Sequence, residues 1–401
     1  MPTTDPKNMV DGYIADVQSL RQPTFMKSKV FFRQVILLSI TVTFLFSFTS
    51  CSSSRAFKSW NLDDVTAARI DSLCAVQMQQ GHFPGLAVAV VDGKKNIWTS
   101  GYGYANLEKK LRVDPEAHLF RIGSISKTVT ASGLARLYER GEINLDLPIS
   151  TYYKDCPNEV RNLTLRQVSG HLAGIRHYKG LEFLSNIHYD NVTDPLEVFI
   201  HDTLLCLPGE KFSYSTYAWT LVSAVMEKSI QKPFTAIIAD EVSKPLQMTD
   251  LKPDYKDSTG FNRVTFYEFR DSIHQVSPVV DISNKWAGGG YLCSAEDLAK
   301  FGWAIAASRY LKEDTMLEFT RSQTTNEGTR TNNGIIFFSG KDDKERNWVG
   351  HGGGSVGGTS RLLIYPEQDI AIVTLVNLSS AQMDDLAEKI ADIILSAATK
   401  K

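Results

Sequence analysis

The chain has 401 residues, with 43 basic and 45 acidic side chains and a formal net charge of −2. That balance supplies no basic surface for a polyphosphate, which argues against a nucleic-acid partner. A hydrophobic content of 43% is that of a globular protein long enough for one large domain or two, and no repeat of 20–50 residues is present.

Residues 1–25 are polar and precede Met26, which reads as the better start, so they are taken as an upstream extension. From Met26 there is a short basic region (Lys27, Lys29, Arg33), an apolar run from Val35 to Phe48, then small residues and Cys51. This is the layout of a secretory signal, and the run is short for a membrane span. Its end, Phe-Thr-Ser-Cys, resembles the lipobox of bacterial lipoproteins. The expectation is a signal over 26–51, a lipid anchor on Cys51, a tether over 52–61, and a location outside the cytoplasm on the cell envelope. The alternative is one uncleaved membrane anchor. Cys74, Cys156, Cys206 and Cys293 form no C-x-x-C pair and read as buried thiols.

A helix is predicted over about 63–80. Residues 83–106 hold two apolar runs around Asp92-Gly93, a hairpin signal. Residues 124–140 read as a helix ending at Gly141. From there to about 285 the pattern is mostly helical, with Pro and Gly punctuation. The tail returns to strands (359–367 and 369–378) and ends in an amphipathic helix over about 381–397, with Met383, Leu386, Ile390 and Ile393 at helical spacing. The expected fold is therefore α/β (α+β). An antiparallel sheet from 62–120 and 286–401 is flanked by helices, and a mostly helical part, 121–285, is inserted. A cleft belongs at the junction of the two parts.

Ser124 and Lys127 stand three apart at the predicted helix start. Positions i and i+3 share a helix face, so the amine can reach the hydroxyl. To take its proton, Lys127 must be neutral part of the time near pH 7, which requires about 4 kcal/mol from burial or nearby positive charge. A helix cap followed by a solvent lysine fits the same four residues. Ser229 and Lys232 repeat the spacing at a helix end before Pro233, so the pattern alone is weak. Tyr214 follows a Pro-Gly turn and precedes an apolar helix, where a phenol beside a lysine can relay protons. Tyr189-Asp-Asn191 lacks both features. His351 opens a glycine-rich segment before a strong strand, where exposed backbone N–H groups can hold an oxyanion.

In that order, Ser124-x-x-Lys127, Tyr214 and His351-Gly-Gly resemble the three motifs of the serine β-lactamase and penicillin-binding-protein superfamily. The likeness is to the class C branch, and within it to LACTB-type proteins, over about residues 64–396. The resemblance implies a β-lactamase/transpeptidase-like fold and Ser124 as the acylated nucleophile. Lys127 and Tyr214 would share the proton transfers, with an oxyanion hole at the N–H groups of Ser124 and Gly354. Gly353 and Thr216 would line the substrate site. No metal or organic cofactor is implied. Many relatives carry Asn at the position of Thr216 and Lys at that of His351. A mostly neutral histidine is a weaker partner for a substrate carboxylate, so efficient β-lactamase activity is not expected.

His171 reads as a structural hydrogen-bonding residue of a helix-to-loop corner. His177 and His188 lack the spacing of a helical metal pair. Residues 264–280 are expected to form a hairpin or flap that shapes substrate choice. The function expected is an exported serine hydrolase acting on a small-molecule or peptide ester or amide. The alternatives are an acyltransferase passing the acyl group to a small alcohol or amine, a β-lactamase or D-Ala-D-Ala carboxypeptidase, and a non-catalytic penicillin-binding sensor.

Overall fold

The computed structural model describes residues 56–256, 261–383 and 385–398. The extension 1–25, the signal 26–51 with Cys51, and residues 52–55 of the tether lie outside the described residues. In chain order, β1 (Lys58–Ser59) leads to α1 (Asp64–Gly81), then the hairpin β2 (Gly85–Asp92) and β3 (Asn96–Asn106). Two short strands, β4 (Leu111–Arg112) and β5 (Phe120–Arg121), precede α2 (Ile125–Glu139). Next come α3 (Leu165–Ser169), α4 (Thr216–Ile230), α5 (Phe234–Ile238), β6 (Lys252–Pro253) and the hairpin β7 (Tyr267–Arg270) and β8 (Ile273–Val276). The chain closes with α6 (Trp286–Gly289), β9 (Tyr291–Cys293), α7 (Ala295–Ala306), α8 (Glu313–Thr320), β10 (Phe338–Lys341), β11 (Asn347–Ser355), β12 (Gly358–Tyr365), β13 (Ile370–Val376) and α9 (Leu386–Ala398).

The main sheet runs β1-β3-β2-β13-β12-β11-β10, with β4 added to β3. Its pairings are antiparallel apart from the parallel β1–β3 pair. The period-2 alternation of β2 divides the core. Leu86, Val88 and Val90 join Ile70 and Cys74 of α1 and Leu386 and Ile390 of α9. Ala87, Ala89 and Val91 join Leu298 and Phe301 of α7 and the helical part of the chain. Burying each such aliphatic side chain contributes roughly 1.5–3 kcal/mol, which is why the central strands β2 and β13 are apolar on both faces. The terminal helices flank the sheet as expected.

Two elements differ in extent from the sequence reading. The last helix begins at Leu386 rather than 381; ahead of it the Ala381 N–H donates to Thr359 Oγ1 at 2.9 Å. Met383 stays in contact with the core from outside the helix. Between Gly141 and Ser215, the α-helical stretch among the described residues is the single turn-and-a-half of α3, set among 3-10 turns. The chain there is held by side chains instead. Arg176 reaches Glu182 and Asp202, and Ser215 Oγ donates to the Arg176 carbonyl at 2.7 Å. Cys74, Cys156 and Cys293 are buried free thiols, whereas Cys206 is half-buried.

Candidate active site

Gly123 sets up the nucleophile position. It takes φ +49 between β5 and α2, and a Cβ there would lie 2.7 Å from the Gly354 nitrogen. Glycine therefore permits both the left-handed turn and the close approach of β11. Ser124 follows as the first residue of the helix start, with φ −65 and no side-chain cap hydrogen bond. Between His118 and Ala135 it is the one residue that is not buried. The capping alternative is thus set aside, since its hydroxyl is turned to Lys127.

Lys127 Nζ lies 3.0 Å from Ser124 Oγ, 3.2 Å from Thr216 Oγ1 and 2.5 Å from the Gly288 carbonyl oxygen. The side chain is 1% exposed, and burial holds its pKa well below the usual lysine range. A neutral amine has two N–H donors and one lone pair. With the donors on Thr216 and Gly288, the lone pair is left for the Ser124 hydroxyl. Gly288 was missed in the sequence, although the Gly288–Gly290 run after Trp286 signals close backbone approach. A Cβ at Gly288 would sit 2.6 Å from Thr216 Cγ2.

Tyr214 stands on the loop leading into α4, after Gly209 with φ +82. Both of its neighbours are tied to His171. The Ser213 N–H donates to the His171 carbonyl at 2.8 Å and the Ser215 N–H to His171 Nδ1 at 3.1 Å. The two rings lie 4.5 Å apart. His171, in its own left-handed turn (φ 60), is the structural residue the sequence suggested, and what it supports is the Tyr214 loop. Lys127 Nζ is 4.9 Å from the Tyr214 ring centroid. Burial pushes the Tyr214 hydroxyl up to about 12, against the opposing effect of its hydrogen bond with Ser124. Thr216 turns its hydroxyl to Lys127, and its N–H donates to His177 Nδ1 at 3.2 Å.

His351 is 6% exposed on β11 and donates from Nδ1 to the Gly352 carbonyl at 2.5 Å. Burial, reinforced by Lys127, pulls its pKa down to about 3, so the ring is neutral at physiological pH. It lies 6.5 Å from the Tyr214 ring and 5.1 Å from Phe338. Gly353 and Gly354 face opposite ways. A Cβ on Gly353 would meet the Ile122 carbonyl at 2.1 Å and Ser360 Oγ at 2.2 Å, whereas one on Gly354 meets nothing within 4 Å. The open side of Gly354 belongs to a cavity of about 590 Å³, walled by Phe183, Leu184, Phe269, Arg270, Ser355 and Ser379.

The hairpin expected over 264–280 is β7–β8, and it forms one wall of that cavity. Phe269 stacks on His82 at 4.1 Å, and His274 Nε2 donates to the His82 carbonyl at 2.7 Å. The opposite wall, residues 180–184, carried no signal in the sequence beyond Gly180. Ser229 and Lys232 are remote from this cluster, with Lys232 paired to Asp240. His188 turns to Asp281 at 2.9 Å and His177 to Thr216, so the two histidines do not converge.

A sequence profile of the β-lactamase family matches residues 70–395. The serine β-lactamase-like protein LACTB, mitochondrial, of Homo sapiens is 27% identical over 77% of this chain and 76% of its own length. Among solved structures, the octameric penicillin-binding protein homologue from Pyrococcus abyssi superposes with a TM-score of 0.70. It is 22% identical and covers 82% of this chain and 77% of its own. The D-amino acid amidase from Ochrobactrum anthropi gives 0.71 at 18% identity, over 83% of this chain and 99% of its own. These two share the fold. With its profile match covering most of the sequence, the chain belongs to the β-lactamase family, whose members are serine hydrolases.

Proposed function

We propose that the chain is an exported serine hydrolase that cleaves an ester or amide through an acyl-enzyme on Ser124. The observation that carries this reading is the buried Lys127 amine 3.0 Å from Ser124 Oγ, with its other two contacts on Thr216 and Gly288. Lys127 takes the Ser124 proton as Oγ attacks the substrate carbonyl. The N–H groups of Ser124 and Gly354 hold the tetrahedral oxyanion, each such donor being worth about 2.7–4 kcal/mol. A helix N-terminus favours the same negative charge. The proton moves by way of Lys127 and Tyr214 to the leaving oxygen or nitrogen, the C–O or C–N bond breaks, and the acyl group stays on Ser124. Water, deprotonated by the same pair, then attacks the acyl carbonyl and Ser124 leaves as the free hydroxyl.

Tyr214 is pushed up to about 12 while Lys127 is held down. Lys127 is therefore the group that is a base at neutral pH, and Tyr214 acts as a neutral donor and relay. His351, being neutral, adds no positive charge for a substrate carboxylate. The sequence over 26–51 supports lipid attachment at Cys51 and a place on the cell envelope as part of the same reading. The test is turnover of a panel of p-nitrophenyl esters, D-amino acid amides and a β-lactam by the parent and by Ser124→Ala. Ester or amide turnover lost in Ser124→Ala supports the hydrolase. Faster product formation with added alcohol, and acylated alcohol as product, identifies transfer. Stoichiometric labelling without turnover identifies a sensor.

A further inference from the structure

Lys127 and Lys285 are both buried, and the reaction as derived uses the first. Lys285, just ahead of α6, is 3% exposed. Its Nζ donates to the Phe183 carbonyl at 3.1 Å and lies 4.8 Å and 4.5 Å from the ring centroids of Tyr178 and Phe183. Among the described residues it forms no ion pair. Arg121, equally buried, is by contrast paired with Asp254 at 2.7 Å. A buried ammonium held by one carbonyl and two aromatic faces is costly to maintain next to a second buried amine.

The path from Lys285 to the reacting atoms is short. Tyr178, under the Lys285 charge, lies beside Thr216. Thr216 Oγ1 accepts from Lys127 at 3.2 Å. Three residues after Lys285, the Gly288 carbonyl takes the other Lys127 hydrogen bond. We propose that Lys285 is a positioning residue for the reaction: its caged, unpaired positive charge repels the proton of Lys127 and keeps Lys127 in the amine form that accepts from Ser124. The role of that amine rests on the acyl-enzyme reading.

The titratable groups around Lys285 support this assignment. Arg121 of β5, Lys127 of α2 and His177 are the charged or titratable neighbours, with Tyr178 beneath it. Arg121 shares the Asp254 carboxylate with Arg263, so that side of Lys285 keeps a net positive charge, and burial together with both lysines pulls His177 down to about 4, so it is neutral. Asp281, four residues upstream, is occupied by Ser283 and His188. Burial, then Arg121 and Lys127, pull Lys285 down to about 7. Its charge is thus present on the acid side, where the amine form of Lys127 is scarcest, and there it adds to the burial that holds Lys127 down.

The experiment is the pH profile of kcat/KM for a neutral p-nitrophenyl ester in the parent, Lys285→Met and Lys285→Arg. Removing the charge moves the acid limb to higher pH by at least about half a pH unit, roughly a threefold loss at a fixed pH on the limb. Arginine, always charged, leaves the limb at or below its parent position. A limb that moves alike in both variants, or in neither, or a loss equal at every pH, overturns the inference. Thermal unfolding of each variant identifies loss of the fold, and Lys285→Gln is a second neutral variant. Lysine ε-13C NMR, with Lys127→Arg for assignment, reads the Lys127 titration without catalysis. It moves to higher pH in Lys285→Met, and an unmoved titration overturns the inference even if no ester is turned over. A shifted titration in a protein that Ser124 probes do not label rejects the hydrolase reading alone.

Discussion

At the scale of single residues, the site depends on a few atoms whose protonation is set by burial. Lys127→Met removes the base and lowers the acylation rate constant by about 10²–10⁴-fold, the usual worth of a positioned base. Rapid-mixing kinetics with an activated ester measures it. The rate rises with pH as Lys127 loses its proton, and the lowered Lys127 pKa puts that rise below the ordinary lysine range. His351 is neutral down to about 3, so His351→Asn leaves the acid limb between pH 5 and 8 in place. A limb displaced in His351→Asn contradicts that assignment. His351→Lys restores a cation and raises acylation by a carboxylate-bearing β-lactam, relative to a neutral ester, by about tenfold. That is modest against the several kcal/mol of an unscreened pair at 4 Å.

At the scale of elements, the site exists because β5, α2 and β11 are pressed together without side chains between them. Gly353→Ala places a methyl against the Ile122 carbonyl and Ser360 Oγ. It pushes β11 from the Ser124 loop and lowers kcat about tenfold or more, while far-ultraviolet circular dichroism stays that of the parent. Arg121 ties the same region from behind. It bonds Asp254 and the Val356 carbonyl, each at 2.7 Å. Asp254→Asn leaves Arg121 and Arg263 without their carboxylate and costs about 3–5 kcal/mol, read by urea unfolding.

The sequence carried Ser124, Lys127, Tyr214, His351 and the strand pattern, because turn chemistry and periodicity are local signals. It did not carry Gly288, His177, Tyr178 or Lys285, whose roles arise from contacts far apart along the chain, 39 residues for His177 with Thr216 and 161 for Gly288 with Lys127. Thr216 was expected to line the substrate site; the structure adds a contact the sequence did not show, its hydroxyl on Lys127. The last helix was overread at its start, where the apolar spacing continues through Met383 while residues 381–383 are not helical.

At the scale of the whole molecule, one sheet organises both core and cleft, and its two faces have separate partners. On the face away from Ser124, Asp342 binds Arg346, which also reaches Asp392 of α9. Burial alone would raise the Asp342 carboxyl, but the bonds from Arg346 and Tyr365 hold it down to about 2. Its folded pKa lies below its unfolded one. The stability it contributes is therefore complete above about pH 4 and lost as pH falls toward 2, on the order of 1–2 kcal/mol. Asp342→Asn lowers the unfolding midpoint at pH 7 and narrows the gap to the parent at pH 2–3. Shortening the β7–β8 tip over 269–274, which spares the buried Tyr267, changes the KM pattern across acyl chain lengths. An unchanged pattern removes the hairpin from substrate choice. At the N-terminus, palmitate labelling of expressed protein is lost in Cys51→Ala, and absence of label in both sinks the lipid anchor.

The central claim is that Ser124 becomes covalently acylated with Lys127 as its base. Intact-mass spectrometry after incubation with a fluorophosphonate serine probe, followed by peptide mapping, tests it most directly. The expected result is one adduct per chain, on Ser124, absent from Ser124→Ala and formed far more slowly in Lys127→Met. An unlabelled parent, or an adduct on another residue that persists in Ser124→Ala, contradicts it.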